Sequence, residues 1–126
     1  NLDSRKRWLS PSFYQLFLNE LEKETQYLKK HPTDKGYFGD GFPFRPLGEY
    51  FRANGKTCNF TYRIGRAVVR SNKASVNVDF FYLPNQCNNR NIYKLKLLRT
   101  SRGWKIDDLI YSDGSTLVAD MKEHRY

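Results

Sequence analysis

Asp107 and Asp108 stand side by side in the run GWKIDDLIY (103–111), close behind Trp104. Adjacent carboxylates near an aromatic can divide acid and base work, provided their surroundings push their proton affinities apart. Strand alternation argues against that use here. It places Trp104, Ile106, Asp108 and Ile110 on one face, and Lys105, Asp107, Leu109 and Tyr111 on the other. The two carboxylates then point to opposite sides and cannot flank one substrate. Asp107 is expected to meet Lys94 or Lys96 of the preceding strand. Asp108 falls on a partly buried face and needs a hydrogen-bond partner, unless a bulge turns it outward.

The other reactive residue types are sparse. Tyr62 and Tyr82 lie on an apolar strand face, and with Asp108 they are the candidate polar groups of a pocket. Asp79 falls opposite Val78 and Phe80 and is expected to face away from the covered side. No catalytic residue is assigned. His31 and His124 have no metal-ligand spacing, so neither a metal nor a cofactor is expected. The run GYFGDGFPF (36–44) lacks the preceding strand and following helix of a phosphate loop. Cys58 and Cys87 are the two cysteines. They are read either as one disulfide, which implies an oxidising compartment, or as two unrelated thiols.

The chain of 126 residues has 22 Lys and Arg against 13 Asp and Glu, a net charge of +9. That balance favours acidic partners, although the cations are spread along the chain and serve solvation as well. Arg63, Arg66, Lys94 and Lys96, with Phe81, form the candidate binding surface. Nucleic acid is the weaker reading, because that surface offers few aromatics in series for stacking. No run approaches the roughly 18 apolar residues of a membrane span.

These residues need elements to hold them. Ser10 and Pro11 start a helix that runs to Lys30, with Phe13, Phe17, Leu21 and Leu28 on one stripe and Tyr14 and Leu18 beside it. His31-Pro32 ends it. Residues 31 to 56 are rich in glycine, proline and aromatics, and read as an ordered loop or as a lid, with a short helix near Leu47 to Arg52. From Thr57 the period changes to two. One strand reaches Arg70, turns at SNKA (71–74), and returns through Tyr82. Matching the apolar faces pairs Val69 with Val76 and Ala67 with Val78. Beyond a one-residue slip at Gly65-Arg66, it pairs Ile64 with Phe80 and Tyr62 with Tyr82. This register sets Cys58 level with Gln86, next to Cys87. Residues 91–99 and 103–111 supply two more strands. Ser115 then caps a short helix with Leu117, Val118 and Met121 inward. The order predicts one α+β domain over residues 1–126, with helix packed on a four-strand antiparallel sheet.

Three segments carry a resemblance: RWLSPSF (7–13), GDGFPF (39–44) and, most specifically, RGWKIDDLIYSDGSTL (102–117). On these, roughly residues 5 to 122 resemble the nuclear-transport-factor-2-like superfamily, the ketosteroid-isomerase-like cone. The nearest likeness is to a bacterial domain family of unknown function found in envelope lipoproteins. The resemblance implies a strongly curved, cone-shaped sheet and a chain lacking part of its first helix or a targeting segment. It implies export to the periplasm or cell envelope and non-enzymatic binding. An immunity or inhibitor protein for a secreted toxin is a concrete form. The expected partner is a protein with an acidic surface, with the membrane reached only through a missing anchor and a homodimer left open. The alternative is a small-molecule binder, or an isomerase or dehydratase using the cone pocket. Such folds host many functions, so the site must decide.

Overall fold

The structure, a computed structural model, describes residues 2–38, 50–53, 55–84 and 90–126. The segment GDGFPF, residues 39–49 of the 31–56 stretch read as a loop or lid, and Cys87 lie outside the described residues. A short helix α1 (Leu2–Arg5) and a 3-10 turn (Lys6–Trp8) lead into the long helix α2 (Pro11–Lys30). Ser10 caps α2 by accepting the Phe13 N–H at 3.2 Å, and Pro11 occupies the first turn. Lys29 and Lys30 sit in the last turn, where cations complement the helix dipole.

The buried stripe of α2 is Phe13, Phe17 and Glu20. Leu18 and Leu21, expected on or beside that stripe, are exposed, and Leu28 is half-buried. The helix turns the phenylalanines inward, where their rings meet edge to face at 5.0 Å. Burying each contributes about 1.5–3 kcal/mol. The carboxylate one turn further follows them in.

Among the described residues six strands form one antiparallel sheet: β1 (Tyr50–Ala53), β2 (Lys56–Ile64), β3 (Val68–Arg70), β4 (Lys73–Leu83), β5 (Arg90–Thr100) and β6 (Gly103–Ile110). Five lie side by side in the order β1-β2-β4-β5-β6, while the short β3 pairs β4 beyond the end of β2. The fold is therefore α+β, but four strands was too few. Tyr50–Ala53 is a strand paired to β2, where a short helix was expected for Leu47 to Arg52.

The one-residue slip is present, and both of its flanking registers differ from expectation by two residues. Ile64 pairs with Val78 and Tyr62 with Phe80, and beyond the break Val69 pairs with Ala74. A shorter turn explains this. Only Ser71 and Asn72 separate the paired Arg70 and Lys73, with Ser71 at φ 57. A shift of two keeps every side chain on its face, so patterning alone cannot detect it. Gly65 does not take a positive φ. It is needed for close approach instead: its N–H donates to the Asn77 carbonyl at 2.8 Å, and an added Cβ would lie 3.3 Å from that oxygen.

The core lies where α2 and the C-terminal helix α3 (Leu117–Glu123) pack on β6. It contains Leu9, Phe13, Phe17, Leu109, Leu117 and Met121, with Tyr93, Leu95 and Ile106 against it. Val118, expected inward, is half-buried and packs against this core. Thr116 caps α3 rather than Ser115, which is held in a turn by Asp113. The outer edge of β6 is covered at both ends, by bridges from Leu9 to Ile106 and from Thr116 to Ile110. Such cover removes a free pairing edge.

Candidate functional site

The aspartate pair sits on a β-bulge. Leu97 faces Ile106, whereas Lys96 faces Asp108, leaving Asp107 as the extra residue. The strict alternation expected for β6 therefore fails: Ile106 and Leu109 lie across from Leu97 and Leu95, which share one face of β5. An inserted residue reverses the face order beyond it.

The bulge aims the two carboxylates at the starts of two different helices. Asp107 accepts the Ser10 hydroxyl at 2.5 Å, and Ser12 at 3.4 Å, where α2 begins. Ser10 also donates its backbone N–H to Ile106 O at 2.8 Å. Asp108 accepts the N–H of Val118 in the first turn of α3 at 3.0 Å, and that of Leu109 at 2.7 Å. Backbone N–H groups at helix starts have no partner within the helix, and negative charge there is favoured. Asp108 thus has the partner it required. Asp107 has Ser10 rather than the expected lysines, although it lines one groove with them.

That groove, of about 490 Å³, is lined by Arg70, Lys73, Lys94 and Lys96, together with Asp107 and the apolar Val68, Ala74 and Leu97. Cross-strand pairing assembles it: Arg70 faces Lys73, Ser75 faces Lys96, and Asn77 faces Lys94. None of the four cations is in an ion pair among the described residues. Of the expected binding surface, Lys94 and Lys96 are in the groove. Arg63 lies on the same sheet face further along, its guanidinium 5.6 Å from the Phe81 ring. Arg66 is exposed in the break between β2 and β3. Arg70 and Lys73 were missed, although RSNK has the tight-turn composition that puts them opposite each other. Asp79 is held by Arg90 through contacts of 2.9 and 2.6 Å, which keep its carboxyl below the usual range.

The expected pocket groups do not converge. Tyr62 is 59% exposed, because no described element packs over its end of the sheet. Tyr82 is buried on β4, packed edge to face on Phe60 at 5.8 Å. Asp108 is two strands away and engaged with backbone. Cys58 is fully buried and disulfide-bonded. Among the described residues no group of three or more His, Cys, Asp or Glu could hold a metal ion. No described helix is long and apolar enough to cross a membrane.

Sequence reading also missed a polar corner between α2 and the chain end. Buried Glu20 contacts Lys23 Nζ at 2.5 Å and His124 Nδ1 at 3.0 Å, the latter an ion pair only when the imidazole is protonated. His124 packs 4.2 Å from the Tyr37 ring and 4.5 Å from that of Tyr126. Burial, and then the carboxylates of Asp120 and Glu20, push the Tyr37 hydroxyl well above the usual tyrosine range. The available signal was the spacing Phe13, Phe17, Glu20, Glu24, which continues an apolar stripe in carboxylates.

Comparison with protein-family models, with curated proteins and with solved structures finds no match to this chain.

Proposed function

We propose that this chain is a non-catalytic binding domain that takes an acidic protein surface on the basic face of its sheet. The observation that carries the reading is the groove, where Arg70, Lys73, Lys94 and Lys96 converge with no ion pair among the described residues. Four cations set against the single carboxylate of Asp107 leave the groove net positive, and an acidic partner relieves their repulsion while steering its own approach. Asp107, the one carboxylate among the described residues of the groove, is engaged by Ser10.

Within this reading the domain has the cone fold of the superfamily it resembles, works in the bacterial envelope, and serves as an immunity or inhibitor protein for a secreted toxin. The long helix preceding an antiparallel meander, and the disulfide at Cys58, support those finer points. The enzyme alternative gains no support from Tyr62, Tyr82 and Asp108, which do not share one pocket.

The test is titration of the protein with poly-glutamate, and with the purified product of the adjacent gene, at two salt concentrations. Salt-sensitive binding that is lost in the double variant K94E/K96E is expected. Binding to either probe that the double variant retains, or no binding at low salt, removes the groove as the binding surface.

A further inference from the structure

The two tryptophans of the chain are both exposed, Trp8 at 55% and Trp104 at 38%. Leaving rings of this size in water is costly, and both occur at one end of the molecule. Trp8 comes one residue before Leu9 and Trp104 two before Ile106, and those two residues bridge. Lys105 Nζ ties the same junction by donating to the Arg7 carbonyl. A guanidinium lies against each ring: Arg7 is 4.7 Å from Trp8, and Arg99 is 6.0 Å from Trp104.

The β3–β4 hairpin tip adjoins this end. Arg99 N–H donates to the Asn72 carbonyl at 2.7 Å, so the tips of the two hairpins lie together. That second tip adds exposed Val69. The three segments that meet here, residues 5–8, 66–73 and 97–105, contain arginine and lysine throughout and no aspartate or glutamate.

We infer that this end docks on an anionic lipid surface, the tryptophans and Val69 entering the headgroup boundary while the arginines meet lipid phosphates. Tryptophan is favoured at membrane–water interfaces because its ring is amphipathic. Juxtaposed cations add attraction to anionic head groups. Lipid fits better than single-stranded nucleic acid. One face of each indole already carries a guanidinium, and aliphatic Val69 has no stacking use but gains from an apolar boundary. The β3–β4 hairpin, with Arg70 and Lys73, borders both this end and the acidic-protein groove, but Trp8, Trp104, Arg99 and Arg102 are not in the groove lining, so variants at these four residues test the lipid inference separately from K94E/K96E.

Trp8 and Trp104 are the whole tryptophan emission of the chain, which makes the test direct. The intact protein is mixed with vesicles of phosphatidylcholine alone, and with vesicles that also contain phosphatidylglycerol. The expected result is a blue shift and co-sedimentation with the anionic vesicles only, reversed by salt. W8A/W104A should bind at least tenfold more weakly, and R99Q/R102Q, which keeps both rings, about fivefold more weakly per cation removed. Circular dichroism confirms that each variant is folded. The inference is overturned if wild-type emission is unmoved by anionic vesicles, or if zwitterionic vesicles bind equally well. Emission that responds to oligo-dT but not to vesicles overturns it in favour of nucleic acid.

Discussion

Asp108 and Glu20 are both buried carboxylates that bind α3 and its following residues to the rest of the molecule, at 8% and 1% exposure. Their partners differ in kind. Asp108 accepts from two backbone N–H groups, of Leu109 and Val118, which are fixed by the strand and the helix they belong to. Glu20 meets two side chains, Lys23 and His124, which are 40% and 22% exposed. If Asp108 is lost, its donors cannot move to water. If Glu20 is lost, its partners can rehydrate by rotating. Burial of the carboxylate therefore predicts less than the freedom of its partners does.

The sharpest way to break this comparison is Asp108→Leu. It removes the acceptor and leaves the Val118 N–H at the start of α3 without one, for a loss of about 3 kcal/mol. Asp108→Asn keeps an oxygen in place and should lose about half as much. Urea unfolding reads both as shifts in midpoint at unchanged slope. A Leu variant as stable as the parent would mean that α3 is held by Leu117 and Met121 alone.

Ser10→Ala comes next. Ser10 caps α2 and also donates to Asp107, so the substitution removes an acceptor for Phe13 N–H and leaves Asp107 Oδ1 with only the 3.4 Å contact from Ser12. A loss of about 1–2 kcal/mol is expected in the same assay. Ser12→Ala, whose contact to Asp107 is 3.4 Å, should fall well below that.

These two sites also mark what the sequence made legible. The start of α2 at Ser10-Pro11 is a local matter of cap chemistry, and it can be read from neighbouring residues. The same holds for the alternation of β4 and β5. Pairing of Asp107 with Ser10 joins residues 97 apart and depends on a single inserted residue. Nothing in GWKIDDLIY distinguishes a bulge from a regular strand, so Asp107 was expected beside lysine and Asp108 on the face of Ile106. The groove was half legible: Lys94 and Lys96 follow from strand period, while Arg70 and Lys73 depend on the length of the turn. The Glu20–His124 contact was hidden because glutamates are counted as solvent-facing, and because a histidine near the chain end gives no local cue.

Glu20→Met sharpens the comparison from the other side. Removing one partner of a buried ion pair is costly when the other charge stays buried, but Lys23 and His124 are 40% and 22% exposed and can reach water. Lys23 and His124 turn to solvent, and the thioether side chain extends the stripe of Phe13 and Phe17. The expected change is within about 1 kcal/mol, against about 3 for Asp108→Leu. If the two cost the same, partner freedom is not what separates them.

The smallest effect is alkaline. Burial, with the charges of Asp120 and Glu20, raises the Tyr37 hydroxyl above its ordinary value, so the folded state favours the neutral phenol. The resulting stability is complete below the unfolded tyrosine value of about 10 and is lost as pH rises beyond it. Tyr37→Phe should therefore flatten the fall in urea midpoint above about pH 10, by roughly 0.5 kcal/mol once solvent screening is allowed for. Tyr14, Tyr27 and Tyr126 are also raised and will keep some slope. Glu20→Met should flatten the same limb slightly, because the Glu20 charge is one cause of the shift, while Asp108→Asn should leave its slope unchanged. Equal flattening by Asp108→Asn would show that the two carboxylate sites are electrostatically coupled rather than independent.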